Sequence, residues 1–335
     1  SRLAHKIYLE YTDRVEPFGI DECWLDVTGS VTLYGDGEKI AREINQRIKE
    51  ELGITVSVGV SWNKIFAKLG SDYKKPDAVT AISRENYKNI AWPLPVENLL
   101  YVGPATTRKL NDLGIHTIGE LANTPLDCLH RRFGKWGDML FCFANGNDIT
   151  PVAAYDKAQI IKSVGNSTTT IRDLTTDEDV KMVLFVLAES VGRRMREQGF
   201  KGRTLTVWVR DNKLFSISRQ CKFLKYTNIS SEIAAKAMWL FRRVYSWYSP
   251  IRSIGISVSD FAPDSVPTQI DLYGSEQQRI RLERLDGAVD VLKRRFGSYC
   301  VQRASLLSEP ALTRFSPKEE NIIHPVGYFK GGEQV

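Results

Sequence analysis

The residues with the clearest capacity for chemistry are two adjacent carboxylates in the run Gly19-Ile20-Asp21-Glu22-Cys23-Trp24-Leu25-Asp26. On a straight strand, Asp21 and Glu22 would point to opposite faces. A bend at Gly19 lets them converge. Clustered carboxylates are hard oxygen ligands for Mg²⁺, which takes one or two of them together with substrate phosphates. Two such ions would polarise an attacking hydroxyl and neutralise a leaving pyrophosphate. The competing reading of an Asp-Glu pair after a strand is a plain turn. A second segment follows at Ser57-Val58-Gly59-Val60-Ser61-Trp62-Asn63-Lys64 and runs into Phe66-Ala67-Lys68-Leu69-Gly70-Ser71-Asp72-Tyr73-Lys74-Lys75-Pro76. A third is Leu100-Tyr101-Val102-Gly103-Pro104-Ala105-Thr106-Thr107-Arg108-Lys109-Leu110, then Leu113-Gly114-Ile115.

The elements that must hold these residues are legible from periodicity. A helix is expected at 3–11, then two short strands bent around Gly19 within 15–28. Ile40, Ile44 and Ile48 recur every four residues, which predicts an amphipathic helix over 39–52. Residues 54–60 alternate apolar and polar, the pattern of a half-buried strand. A helix at 63–72 and a short strand at 77–82 complete an α/β unit over 1–82. Residues 83–149 lack strand signals and read as short helices broken by proline and glycine. A polar, interrupted stretch places a linker at 150–160. Residues 161–262 read strand, helix, strand, then strand, helix, strand, with a hairpin at Asp211-Asn212-Lys213. That order predicts one antiparallel or mixed sheet with helices on one face and Thr204, Thr206, Trp208 and Arg210 on the other. The remainder, 263–335, contains a helix over 275–296 with Ile280, Leu285, Val289, Leu292 and Phe296 near one stripe. The fold class is therefore α+β.

Composition bounds the function. Of 335 residues, 42% are hydrophobic and 26% charged, which is ordinary globular usage and excludes a mostly disordered chain. The apolar runs are too short to span a bilayer, and no secretory signal is present. The cysteines Cys23, Cys128, Cys142, Cys221 and Cys300 form no C-x-x-C pair, and the histidines share no metal-ligand spacing, so reduced thiols in the cytoplasm fit best. The net charge of +6 is uneven. Residues 160–262 hold 17 Lys/Arg against 9 Asp/Glu, whereas 1–159 hold 19 against 21 and 263–335 hold 10 of each. One basic segment beside neutral neighbours points to a polyanion such as nucleic acid.

Together the first two motifs resemble the palm of the Y-family translesion DNA polymerases, of the bacterial polymerase IV and V type. Gly19 stands where that family usually has Ser. The resemblance extends through the helical and basic segments to about residue 262. It implies a partial palm at 1–82, a thumb with a helix–hairpin–helix at 83–149, and a βαββαβ little finger at 161–262. It implies that Asp21 and Glu22 are metal-binding, catalytic carboxylates for two Mg²⁺ ions. It implies that Lys75 contacts the incoming triphosphate, with Lys68 a further candidate for that task; Asp26 reads as structural. The third motif resembles the thumb's hairpin, where glycine permits a tight turn and backbone N–H groups of Val102, Gly103, Ala105 and Thr106 can bind a DNA phosphate. Tyr101 replaces the first glycine of the family's G-x-G. Candidate phosphate contacts in the little finger are Lys162, Ser163, Arg203, Thr204, Thr206 and Arg219. Gln269-Ile270-Asp271-Leu272-Tyr273 resembles the peptide by which bacterial polymerases bind the sliding clamp, with Gln269, Leu272 and Tyr273 as its anchors.

The resemblance implies error-prone synthesis on damaged primer–template from deoxynucleoside triphosphates. It also implies a further metal-binding aspartate and a fingers domain N-terminal to Ser1, so this chain is expected to bind DNA but to be inactive alone. The alternative is a non-enzymatic module that binds primer–template DNA and the clamp. A palm-type nucleotide cyclase would leave the helical hairpin, the basic segment and the clamp-like peptide without a purpose.

Overall fold

The structure is a computed structural model and describes residues 1–156, 160–266 and 275–315. The described residues divide into two compact units, 1–156 and 160–315.

The first unit opens with helix α1 (Arg2–Tyr11), strands β1 (Val15–Pro17) and β2 (Cys23–Leu25), and a short helix α2 (Val31–Tyr34). Helix α3 (Gly37–Leu52) starts where the Asp36 side chain accepts the Lys39 N–H at 2.8 Å and stops at Gly53, whose φ of 69° suits a residue without Cβ. Its Ile40, Ile44 and Ile48 are buried against Ala4, Ile7 and Tyr11 of α1, as the four-residue spacing requires. Each fully buried isoleucine contributes about 1.5–3 kcal/mol. Strand β3 (Val58–Val60) pairs in parallel with β4 (Val79–Ala81). The alternating run from residue 54 predicts a longer strand, but a parallel ladder extends only as far as its partner. Residues 54–57 are a connector, with the Val56 carbonyl bonded by the Asn45 side chain. β1 pairs antiparallel with β2, and this ladder is separate from β3–β4.

Helix α4 (Lys64–Tyr73) is capped by Asn63, whose side chain accepts the Phe66 N–H at 2.8 Å. It crosses β3 closely enough that a Cβ on Gly59 would lie 1.8 Å from the Ala67 carbonyl oxygen, which is the physical reason for glycine in the second motif. Ile65, Phe66 and Leu69 share one apolar core with the helical segment that follows. That segment comprises α5 (Tyr87–Ile90), α6 (Pro104–Asn111), α7 (Ile118–Asn123), α8 (Leu126–Phe133) and α9 (Lys135–Ala144). A reciprocal pair of hydrogen bonds between Thr117 and Glu120 starts α7.

The second unit is β5 (Ser163–Leu174), α10 (Asp177–Glu197), β6 (Phe200–Asp211), β7 (Ser216–Thr227), α11 (Ser230–Val244) and β8 (Ile251–Pro263). The sheet order is β5-β8-β6-β7, antiparallel throughout, which is the expected βαββαβ arrangement. Leu205, Val207, Val209, Ile254, Ile256 and Val258 face the helices in one core with Leu184, Leu187, Val191 and Phe241. The hairpin turns on Asp211, whose Oδ1 accepts the N–H groups of Lys213 and Phe215 at 2.9 and 2.8 Å.

Helix α12 (Ser275–Phe296) and the short α13 (Pro310–Thr313) complete the unit. The apolar stripe on α12 is not its docking face. Ile280, Leu285, Leu292 and Phe296 are exposed, while Glu276, Asp286 and Asp290 are buried. The reason is a set of basic partners on the body of the unit that charge pairing fills and aliphatic side chains would leave bare.

Candidate active site and nucleic-acid interface

Asp21 and Glu22 lie on the turn between β1 and β2, the turn placed by Gly19. The Glu22 carbonyl accepts the N–H groups of Phe18 and Gly19 at 2.9 and 3.3 Å, which folds 18–22 into a tight loop. A Cβ on Gly19 would be 3.8 Å from an Asp21 carboxylate oxygen, ordinary contact, so a small side chain such as serine fits there. Asp21 is exposed and Glu22 half-buried. Burial pushes the neighbouring Cys23 thiol up to about 12, which removes it as a nucleophile. Asp26 closes the turn after β2 by accepting the Thr28 N–H at 3.0 Å, a structural task.

The structure links both candidate triphosphate lysines to this turn. Lys68 on α4 lies 3.0 Å from Glu22 Oε1 and 2.7 Å from Asp72 Oδ2. The other oxygen of Asp72 is 2.6 Å from Lys75 Nζ. The result is a row of alternating charges, Glu22, Lys68, Asp72 and Lys75. Burial opposes the charge of Lys68, but hydrogen bonds to Asp72 and Glu22 outweigh it and raise the pKa, so the amine stays cationic. Burial likewise opposes ionisation of Asp72, and the two lysines outweigh it, holding the carboxyl below its usual range. Asp72 is not among the residues that the motifs single out. Its position four residues after Lys68 and three before Lys75 is the signal that finds it.

Two hard carboxylates on one turn fit the protein's share of a Mg²⁺ site, the remaining ligands being water and phosphate oxygens. Among the described residues, no group of three or more His, Cys, Asp or Glu side chains forms a metal cluster.

The hairpin before α6 keeps its expected backbone despite Tyr101. That residue has φ 71°, the left-handed region in which the family's glycine is at ease. Its ring contacts Phe18, Trp136 and Phe143, with centroids 6.1–6.3 Å away. Of the four expected N–H donors, those of Val102 and Thr106 bond within the turn, to the carbonyls of Leu99 and Gly103. Gly103 and Ala105 remain at the helix start, where the partial positive charge of α6 favours an anion.

In the second unit, the sheet face opposite the helices carries Thr204, Thr206, Trp208 and Arg210 of β6, as expected from alternation. In register with them stand Lys222, Gln220, Ser218 and Ser216 of β7, and Ser259, Ser257, Gly255 and Ser253 of β8. On β5 the sequence continues as Ser163, Gly165, Ser167 and Thr169. This is a smooth face of hydroxyls and glycines with few cations. Thr204 is buried on it and Trp208 half-buried. Lys162 is exposed immediately before β5. Arg219 does not join this face. It pairs in register with Val207, so its side chain leaves on the helix side. Arg203 alternates with Thr204 and stacks 5.8 Å from the Tyr226 ring. Gln269, Leu272 and Tyr273 lie outside the described residues. Among the described residues, no helix is long and apolar enough to cross a membrane.

Comparison with known proteins bears on the family and the fold. Profiles match the impB/mucB/samB family over residues 1–72, the DNA polymerase-iota thumb domain over 97–148, and the impB/mucB/samB family C-terminal domain over 161–272. A DNA polymerase IV of Acetivibrio thermocellus is 51% identical over 314 residues, covering 94% of this chain and 79% of that protein. A DNA polymerase IV of Moorella thermoacetica is 39% identical over 303 residues, covering 90% of this chain and 74% of that protein. Among solved structures, a Y-family DNA polymerase chimera superposes with a TM-score of 0.67 at 24% identity, covering 78% of this chain and 75% of its own, and it shares the fold.

Proposed function

The chain belongs to the Y-family (impB/mucB/samB) DNA polymerases, and from that premise we infer that it supplies the nucleotidyl-transfer turn, the thumb hairpin and the DNA-gripping sheet of an error-prone lesion-bypass enzyme. The enzyme class is DNA-directed DNA polymerase.

The observation that carries the residue-level reading is the row Glu22, Lys68, Asp72, Lys75 beside Asp21. Asp21 and Glu22 would hold the divalent cation, Mg²⁺ by its preference for hard oxygen. Bound there, it would neutralise a leaving pyrophosphate and polarise the primer 3′-OH. Lys75, the more exposed lysine, contacts the triphosphate as a mobile point charge against developing negative charge. Lys68, tethered at both sides, orients Glu22 and Asp72. The N–H groups of Gly103 and Ala105 hold a phosphate of the duplex, and the hydroxyl face with Lys162 and Ser163 follows its backbone. Such contacts position DNA without reading its sequence. Gln269, Leu272 and Tyr273 bind the sliding clamp.

We further propose that these residues alone grip primer–template without extending it. Among the described residues, Asp21 and Glu22 gather no third carboxylate, and strands β2 and β3 pair on one side only. The same observations favour the second reading, a primer–template binding module.

The test is primer extension with Mg²⁺ and all four deoxynucleotides, by this chain and by a form extended at its N-terminus. Extension by the longer form that is abolished in Asp21→Ala and in Glu22→Ala supports the assignment. Undiminished extension by either variant refutes it. Extension by the shorter chain refutes the proposed inactivity.

A further inference from the structure

Helix α12 begins beyond the last residue matched by the C-terminal family profile. By sequence it mixes acids and bases, but its fold sorts them. Glu276 pairs with Lys225 at 2.9 Å, Glu283 with Lys201 at 2.9 Å, and Asp290 with Arg196 at 2.7 Å. Asp286 accepts the Ser230 N–H at 2.7 Å and lies 3.2 Å from Arg196. These are all of the helix's carboxylates, and every one is turned inward. Of the three basic residues on the same side, two are also held inward, Arg279 by Glu232 at 2.6 Å and Lys293 by Glu189 at 2.8 Å, while Arg294 in the last turn is exposed.

The outward side is different. At 100° per residue, Arg281, Arg284 and Arg295 fall on one ridge within an arc of about 60°, centred roughly 140–150° from the docked acids. All three are exposed, and among the described residues none pairs with a carboxylate. Arg281 and Arg284 lie mid-helix, where the helix dipole gives no reason for a cation. Exposed Ile280 and Val291 flank the ridge on one side, Leu285 and Leu292 on the other. A protein interface has the opposite layout, with an apolar centre and charge at the rim. A central line of guanidinium groups, free of nearby exposed acid, suits a phosphate backbone, which arginine binds bidentately.

We propose that the outer ridge of α12, Arg281, Arg284 and Arg295, is an additional duplex-DNA phosphate-binding surface, with the inner acids serving as its mount. This rests on the reading of the chain as a DNA polymerase. It assigns a phosphate contact to a helix that adds nothing to the sheet.

The test is fluorescence anisotropy of the full chain with a labelled primer–template over a range of salt concentrations. The comparison is with Arg281→Ala/Arg284→Ala/Arg295→Ala, whose substitutions favour helix and break no ion pair, giving up only the contact of Arg295 with the Phe296 ring; circular dichroism checks the fold. The expected result is roughly tenfold or weaker binding, equal on unrelated sequences, with the slope of log K against log salt shallower by up to about 2.7, at about 0.9 for each phosphate no longer neutralised. Wild-type affinity and slope in the variant overturn the ridge while leaving the polymerase reading intact, and an acidic protein partner then takes its place. A wild-type chain that binds no DNA overturns both. Lys222→Ala, on the sheet's hydroxyl face, separates them further: it weakens binding through the sheet alone and leaves the ridge's share of the slope in place.

Discussion

Removal of Arg196 tests whether α12 is held by charge. The guanidinium bridges two carboxylates at once, 2.7 Å from Asp290 and 3.2 Å from Asp286, and all three side chains are about nine-tenths buried. Arg196→Ala would strand Asp290 in a poorly solvated seam and leave Asp286 with the Ser230 N–H and, at 3.5 Å, Arg303. Breaking a buried pair by removing one partner costs about 3–5 kcal/mol. The helix has an escape, however. If it lifts off, the acids regain water, so the global loss cannot exceed the free energy that docks α12. Local opening is therefore the expected outcome. Hydrogen exchange followed by mass spectrometry should show the amides of α12 losing protection by roughly a hundred- to a thousandfold, the equivalent of about 3–4 kcal/mol. The amides of β6 and β8 should keep theirs, because their core is aliphatic and separate from the seam. Unchanged exchange in α12 would refute the ionic anchor. Equal loss across the sheet would also refute it, since the helix would then belong to the same cooperative unit.

Three further outcomes are expected. Asp179 accepts both terminal nitrogens of Arg172 at 2.8 and 3.0 Å, and that guanidinium holds its carboxyl below the ordinary value. A depressed folded pKa contributes stability above the unfolded value of about 3.9 and loses it as pH falls through the folded one. Asp179→Asn should therefore lose about 1.5–3 kcal/mol at neutral pH and decline less steeply in acid, by urea melts at several pH values; parallel declines would contradict this. Gly59→Ala would put a methyl group 1.8 Å from the Ala67 oxygen and 2.5 Å from the Ser71 nitrogen, both backbone, so a loss of about 3 kcal/mol or more is expected in thermal melts, and wild-type stability would show that α4 does not cross there. Tyr101→Gly and Tyr101→Ala both give up the ring packing, but only glycine relieves φ 71°, so the glycine variant should be the more stable of the two by about 1 kcal/mol, and equal stability would rule out the left-handed conformation.

Legibility in the sequence divides along a physical line. Elements with a strong period are legible: Ile40, Ile44 and Ile48 announce α3, and the alternation through Leu205, Val207 and Val209 announces β6. So is the turn that carries Asp21 and Glu22, because glycine next to two carboxylates is a local signal. Strand β3 is shorter than its alternation suggests because its length depends on its partner, Val79–Ala81, far along the chain. Arg219 reads as a DNA contact by its charge, yet its face is decided by registry with Val207. Asp72 escapes a motif reading because its importance lies in two lysines reaching it from opposite sides. The docking side of α12 is least legible of all. Its aliphatic stripe follows the rule that apolar faces go inward, and the rule loses here to basic groups on the body of the unit that no local pattern reveals.

The same case limits what a charge count can say about DNA binding. The excess of cations in 160–262 points to a polyanion. Yet Arg172, Arg196, Lys201, Lys225 and Arg242 are each neutralised by a carboxylate of the same unit. The sheet face expected to meet the duplex carries hydroxyls and glycines, with Arg210 and Lys222 at its margin. Short hydroxyl side chains let a sheet approach a phosphate backbone closely and donate to it, and they leave little for salt to screen. Attraction at longer range must then come from elsewhere on the unit. α12 does both parts of that exchange. Its inner acids neutralise Arg196, Lys201 and Lys225, and its outer arginines return a comparable charge to solvent along a line. The salt dependence of DNA binding then resides largely in α12, while closeness of fit resides in the sheet. Substitutions on the helix should change the slope against salt, and substitutions that enlarge the sheet face at an open position, such as Ser218→Val, should lower affinity and leave that slope alone.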